Sequence, residues 1–139
     1  MAGIVHELKP KSGDTEKITI NLGYVDLGHI DLMVAEGFYS NRTDFIRTAI
    51  RNQIERHAEV AKQSLARKRL DLGLRHYRRE DLEEVRAAGQ MLEIQVLGLA
   101  SIAADVTPEL ALATIASIEV LGALHASTEV KAALSGRIR

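Results

Sequence analysis

The stretch that decides the fold of the N-terminal part of the chain is Lys17-Ile18-Thr19-Ile20-Asn21-Leu22. Apolar and polar side chains alternate strictly along it, which is typical of a β-strand with one apolar and one polar face. Gly23 follows as a strand breaker. Because a single strand exposes an unpaired edge and is not stable alone, the sequence predicts that this strand pairs with another.

A first helix is predicted directly after the strand, from Tyr24 to Glu36. Apolar residues recur in it at helical spacing, at Leu27, Ile30 and Val34. Gly37 comes next, and a glycine that adopts a positive φ commonly ends a helix. The sequence therefore predicts a short amphipathic helix with a tight turn behind it.

A second helix is predicted to begin at Asn41. The stretch Asn41-Arg42-Thr43-Asp44 resembles a capping box, with an Asn side chain at the N-cap and an acid three residues later. This helix is expected to run past His57 to about Leu70. Its apolar stripe comprises Phe45 or Ile46, Ala49, Ile50 and Ile54.

Together, the strand and the two helices predict a homodimer. They offer only about 40 residues, near the size below which a hydrophobic core usually needs oligomerisation. In a two-fold dimer the strands pair antiparallel, and four helices cover their apolar face. The predicted dimer core consists of Ile18, Ile20, Leu22, Ile46 and Ile50. The opposite face carries Lys17, Thr19 and Asn21 from each chain, and such a two-stranded ribbon fits the DNA major groove, where these side chains can bond base edges.

This combination resembles the ribbon-helix-helix family of the Arc, MetJ and CopG type over residues 17–57. The strand, the turn at Gly37, the capping stretch at 41–44 and the runs Ile46-Arg47 and Ala49-Ile50-Arg51 carry the resemblance. It implies an obligate dimer, base contacts from alternate strand residues and a phosphate at the N-terminus of the second helix. The implied base contacts are Lys17, Thr19 and Asn21, and the implied phosphate contacts are Asn41, Arg42 and Thr43. The dipole and free N–H groups of a helix N-terminus also favour a phosphate there.

Simpler interpretations of these residues stay open. The three polar strand residues also fit the solvated side of an amphipathic strand. Asn41 and Asp44 also fit a helix cap alone, and a cap is compatible with phosphate binding. Arg47 and Arg51 lie one turn apart, and they fit a solvated face or an ion pair between subunits as well as a DNA contact.

The C-terminal part of the chain, residues 81–139, predicts a small α/β domain that begins with a short charged helix. The runs 94–98 and 118–122, Ile-Gln-Val-Leu-Gly and Ile-Glu-Val-Leu-Gly, read as similar strands. Each precedes a helix, capped by Thr107 or Ser127. Strands joined through a helix are normally parallel. Two strand–helix units are fewer than the roughly three that a solenoid needs, so we expect this domain to build a higher oligomer or to dock another protein.

The fold class predicted for the whole chain is α+β. Residues 1–16 are expected to form a disordered arm and residues 58–80 a basic helical connector. Residues 1–80 carry 14 Lys and Arg against 11 Asp and Glu, whereas residues 81–139 carry 4 against 8. A basic front half with an acidic back half suits a region that binds a polyanion and a tail that binds protein.

Several classes of protein are disfavoured by the composition. The chain has no cysteine, which excludes disulfides, a thiol nucleophile and Cys-ligated zinc, and suits a reducing cytoplasm. Its five histidines are scattered, so the nickel-sensing subclass, with clustered His and a Cys, is a poor match. No apolar run is long enough to cross a membrane, the N-terminus lacks the apolar core of a secretory signal, and no catalytic motif or phosphate-binding loop is found.

The sequence thus predicts a cytoplasmic, non-enzymatic and sequence-specific DNA-binding regulator, acting as a repressor or autoregulator without cofactor or metal. Its expected partners are double-stranded DNA and further copies of itself. One alternative is an antitoxin whose tail binds a toxin. Another is a self-assembling structural protein whose N-terminal domain only dimerises.

Overall fold

The computed structural model describes residues 15–139 and the backbone of strand β1 (His6–Glu7). Contacts divide the chain into two compact units. We call residues 16–67 the head, and we call residues 68–139, together with β1, the tail. The predicted disordered arm lies largely outside the described residues. At His6–Glu7 that prediction is wrong, because these two residues pair with a strand of the tail.

The first helix of the head is the predicted one, α1 (Tyr24–Ala35). Gly37 ends it with a φ of 86°. The N–H of Gly37 donates to the carbonyl of Val34, and that of Phe38 donates to the carbonyl of Met33, both over 3.0 Å. These two bonds satisfy carbonyls at the helix end, and they require the left-handed conformation that glycine adopts readily.

Two helices follow where the sequence predicts one: α2 (Arg42–Arg56) and α3 (Ala58–Lys68). The break is a single residue, His57, whose φ of −101° and ψ of 14° leave the helical region. Arg69 then adopts a φ of 56° directly after α3. The prediction of one continuous helix is therefore wrong at His57, whereas its predicted end at about Leu70 lies within two residues of the observed end at Lys68.

Residues 15–23 belong to no helix or strand of the single chain. A β-strand is defined by hydrogen bonds to a neighbouring strand, and residues 16–67 contain no second extended segment to pair with 17–22. The ribbon predicted from Lys17 to Leu22 is consequently not formed within one chain.

The tail alternates strands with helices around one sheet. In chain order after β1, its elements are β2 (Asp71–Tyr77), α4 (Arg79–Ala87), β3 (Leu92–Ile102), α5 (Pro108–Thr114), β4 (Ile115–His125) and α6 (Thr128–Ala133). The described strands lie in the order β1-β2-β3-β4, and β1 is antiparallel to β2, whereas β2, β3 and β4 are parallel. The structure confirms the short helix near residue 81 and the parallel pairing of the two predicted strands.

The predicted strand–helix duplication is in fact threefold. Residues 94–98 pair in register with residues 118–122, as their similar sequences suggest. Residues 71–77 add β2, which α4 follows in the same way. The prediction of a helical connector over residues 58–80 is therefore wrong from residue 71 onwards. The tail has three strand–helix units instead of two. The expectation that it has too few units to be stable alone is therefore wrong as well.

A column of glycines marks the register of the three parallel strands. Gly73, Gly98 and Gly122 are direct neighbours across the sheet, with φ values of 133°, 137° and 123°. A Cβ on Gly98 would overlap the backbone carbonyl of Gly73, and a Cβ on Gly122 would overlap that of Gly98. Both the backbone angle and the close approach therefore require glycine.

The hydrophobic core of the tail lies on one face of the sheet, where α4, α5 and α6 pack. Strand residues such as Val96 and Ala100 meet Leu82 of α4, Leu110 of α5 and Val130 of α6 there. Two of the helices start as the sequence predicts. The hydroxyl of Thr107 accepts the N–H of Leu110, and that of Ser127 accepts the N–H of Val130, both over 3.2 Å.

Candidate nucleic-acid interface

The segment 17–22 is exposed along its whole length. Its polar residues Lys17, Thr19 and Asn21 are exposed, as base contacts would need to be. Its apolar residues are exposed too, with Ile18 at 74% and Ile20 at 60% of their full accessible surface. Exposed aliphatic side chains at alternate positions leave a large apolar surface in water. The segment thus carries an apolar edge that the single chain does not cover.

The head contains very little core of its own. Within residues 16–67, the one buried apolar side chain is that of Ile30 on α1. An apolar groove runs beside it, between the segment 20–22 and the two helices. The residues that line it are Ile20, Leu22, Asp26, His29, Ile30, Phe45, Ile46, Ala49 and Ile50. Four of the five residues predicted for the dimer core meet in this groove, and Ile18 does not line it.

The N-terminus of α2 is capped by Asn41, as the sequence predicts. The Oδ1 atom of Asn41 accepts the N–H of Asp44 over 2.8 Å. In return, the Asp44 carboxylate accepts the N–H of Ser40 over 2.9 Å, one residue before the position that a standard capping box uses. The rings of Tyr39 and Phe45 meet edge to face, with centroids 4.9 Å apart. These contacts fix how the chain enters the helix.

Arg42 is held by a partner that the sequence does not reveal. Its Nε and Nη2 atoms each donate to a carboxylate oxygen of Asp31 over 2.8 Å, which joins α1 to the first residue of α2. The hydrogen bonds from Arg42 lower the pKa of Asp31, and those to Asp31 raise the pKa of Arg42. Asp31 lies eleven residues before Arg42 on another helix, so no local motif could identify the pair.

The structure brings one predicted base contact close to one predicted phosphate contact. Asn21 and Arg42 line the same shallow groove, together with Tyr24 and Leu27 of α1 and Ile46 of α2. Lys17 and Thr19 do not line it. Asn41 and Thr43 flank Arg42 along the chain, and both are exposed.

Positive charge in the head is concentrated on α2. Residues 16–67 carry seven Lys and Arg and seven Asp and Glu, so the head as a whole is neutral. Within it, α2 holds four arginines, Arg42, Arg47, Arg51 and Arg56, against Asp44 and Glu55. The charge difference counted in the sequence, between residues 1–80 and 81–139, therefore does not coincide with the boundary between head and tail. Several basic residues after Arg67 belong to the tail.

Other kinds of site find little support in the part of the chain that the structure describes. There, no three His, Asp or Glu side chains are grouped so that they could hold a metal ion. No described helix combines the length and the apolar composition that crossing a membrane requires. The exposed segment 17–22 and the N-terminus of α2 remain the best-defined candidate site.

Comparison with known proteins agrees with this geometry. Neither the curated proteins nor the solved structures gave a significant match to the chain. A family model, the ribbon-helix-helix transcriptional regulator family, matches residues 13–131. The match extends well beyond the resemblance at residues 17–57 and includes most of the tail. The chain therefore belongs to the ribbon-helix-helix transcriptional regulator family.

Proposed function

We propose that two copies of the head pair their segments 17–22 into an antiparallel ribbon that reads operator DNA in the major groove. The observation that carries this proposal is the incomplete core of the head, where Ile18 and Ile20 are exposed and Ile30 is the one buried apolar residue. A second copy covers the apolar edge and supplies the missing strand at once. Family members usually bind DNA as dimers, which supports the same arrangement.

Base contacts are made by the polar side of the ribbon. Pairing through Ile18, Ile20 and Leu22 turns Lys17, Thr19 and Asn21 outward, because neighbouring residues of a strand face opposite sides. Lys donates to guanine O6 and N7, Asn bonds the N6 and N7 atoms of adenine, and Thr bonds a base edge or touches a thymine methyl. The two-fold axis of the dimer makes the operator palindromic.

Phosphate contacts are made at the N-terminus of α2. The Oδ1 atom of Asn41 already accepts a helix N–H, so the phosphate meets the remaining part of that side chain. The first backbone N–H groups of a helix, here those of Arg42 and Thr43, have no partner within the helix and point towards an anion. The Arg42 guanidinium uses two of its five N–H donors on Asp31, which leaves donors for a phosphate oxygen.

The biological role that follows is repression or autoregulation, with the tail assembling dimers or docking another protein. The packed core of the tail argues against the antitoxin alternative, since a toxin-binding tail of that kind commonly folds only on binding. The neutral net charge of the head predicts weak binding to DNA of random sequence, so the preference for an operator has to come from base contacts. Enzymatic activity has no support in the described site.

The test is selection of binding sites from random DNA with the full chain. The parental protein should enrich one palindromic sequence, and Asn21→Ala or Thr19→Ala should lose preference at particular base positions. A lost base contact of this kind costs about 1–3 kcal/mol of discrimination. Asn52→Ala, which truncates an exposed asparagine of α2, is the matched control and should keep the parental preference. Unchanged preference in both ribbon variants would refute base reading by the ribbon.

A further inference from the structure

One face of the tail's sheet is aliphatic and lies opposite the helices. Strand residues alternate between the two faces, and Val96 and Ala100 point into the core among the helices. Leu97 therefore points to the other side, together with its register partners Leu72 and Leu121. The neighbouring row on this side comprises Leu74, Leu99 and Ala123. We call these two rows the open face.

Side chains of the open face are well exposed on the outer strands β2 and β4, and less exposed on the central strand β3. Leu72 on β2 is 63% exposed and Leu121 on β4 is 48% exposed, whereas Leu97 between them is half-buried. Leu99 in the neighbouring row is buried. The tail thus presents leucine side chains to water on a regular sheet, although its helices already cover a complete core on the other side.

Polar residues border the two apolar rows on both sides along the strands. On one side, Lys68 reaches Glu119 of β4, with 3.8 Å between Nζ and Oε1. On the other side, His76 and His125 lie in the row that follows Leu74 and Ala123 along the strands. An apolar centre with a polar rim is the usual anatomy of a protein interface.

We propose that the open face of the tail packs against the open face of a second copy of this chain. The centre of the face is aliphatic and lacks charge, as is typical of interfaces between identical subunits. If the strands of the two copies run in opposite directions, the row that contains Leu121 in one copy lies over the row that contains Ala123 in the other. Ala123 then leaves room for Leu121 of the partner subunit.

The proposed head dimer also brings a second copy of the open face close to the first. The proposed head dimer joins two tails in one particle, so that each open face meets an identical one at an effective concentration far above that of the free protein. This step rests on the dimer of the proposed function. The open face belongs to the tail and not to the head. The packing of the open face and the reading of DNA by the ribbon can therefore be tested separately.

The test uses cross-linking of the full chain, which has no cysteine of its own. Leu121→Cys is treated with a bis-maleimide whose spacer is about 10 Å, the spacing of two packed sheets. Leu112→Cys is the matched control, because Leu112 is 38% exposed on α5. Leu121→Cys should yield covalent dimers roughly 10²-fold faster than the control. Equal rates for the two variants would overturn the proposal.

A second variant guards against cross-linking by chance. Leu72→Glu, added to Leu121→Cys, places a charge on the open face at an exposed position and should lower the rate to that of Leu112→Cys. A thermal melt checks that the tail stays folded. A protein that selects its operator without cross-linking overturns the packing of the open face alone. One that cross-links but selects no DNA sequence overturns the proposed function alone.

Discussion

The head and the tail divide the apolar residues of this chain very unevenly. Of the seventeen buried apolar residues that the structure describes, sixteen lie in the tail and one, Ile30, lies in the head. The head is nevertheless rich in isoleucine and leucine, and it exposes them at Ile18, Ile20, Ile50 and elsewhere. Most apolar residues of the tail pack in a core within one chain, apart from the exposed leucines of the open face. The head holds them on a surface, where a second copy of the chain can bury them.

The largest expected effect comes from a charge on that surface. Ile20→Asp should destabilise the head by about 4 kcal/mol or more, because the paired ribbon would bury a carboxylate without a partner. The tail should keep its own cooperative melt. Two-step thermal unfolding followed by circular dichroism, with sedimentation to measure the mass, checks both expectations.

A matched change in the tail sharpens this contrast. Met91→Asp places the same charge on an apolar residue that is also about half exposed. It should leave the stability and the mass of the protein unchanged. A head that still melts at the parental temperature with Ile20→Asp would show that Ile20 is not in the dimer core, or that the strand register is shifted by one residue.

An intermediate effect is expected in the glycine column of the tail. Gly98→Ala should destabilise the tail by about 2–4 kcal/mol, because the new Cβ forces a strained φ and overlaps the carbonyl of Gly73. Denaturant unfolding of the full chain measures this loss. Gly136→Ala, where a Cβ meets open space, is the control. Dimerisation of the head should survive, and its loss would mean that the two units do not fold separately.

The smallest effect concerns the ion pair between the helices of the head. The pKa of Asp31 lies below its usual 3.8 in the folded protein, mainly through hydrogen bonds from Arg42. The pair therefore stabilises the head fully above that usual value, and the contribution disappears as the pH falls through the lowered pKa. Both side chains are exposed, so salt should weaken it further.

Asp31→Asn tests this ion pair. The parental head should be slightly more stable than the variant at neutral pH, and the difference should vanish in acid. Melting temperatures across a pH series at low salt give the comparison. A difference that persists unchanged in acid would mean that Asp31 acts through packing instead of its charge.

Features with a local cause could be predicted from the sequence. Helix caps depend on residues three or four positions apart, and the caps at Asn41, Thr107 and Ser127 formed as expected. Gly37 ended α1 for the same kind of reason. The parallel pairing of the two similar strands followed from the helix between them, because strands joined through a helix are normally parallel.

Features with a distant cause were missed. Strand β2 contains Gly73 and basic residues, and for this reason the sequence predicted a connector there. Its strand character comes from pairing with β3, although the Leu-Gly pairs at 72–73, 97–98 and 121–122 offered a signal. The ion pair of Arg42 with Asp31 depends on how two helices dock. The alternation of apolar and polar residues, or their spacing along one helix, cannot predict contacts between distant segments.

The central claim, that two copies of the segment 17–22 form a ribbon, is tested most directly by amide hydrogen exchange of the full chain. Within one chain this segment belongs to no strand, so protection of its amides in the absence of DNA has to come from a second copy. Pairing in an antiparallel ribbon should protect amides at alternate positions from Lys17 to Leu22, and dilution below the dimerisation constant should remove that protection. Exchange of all these amides at the rate of an open chain, in a protein that is dimeric and bound to its operator, would contradict the account.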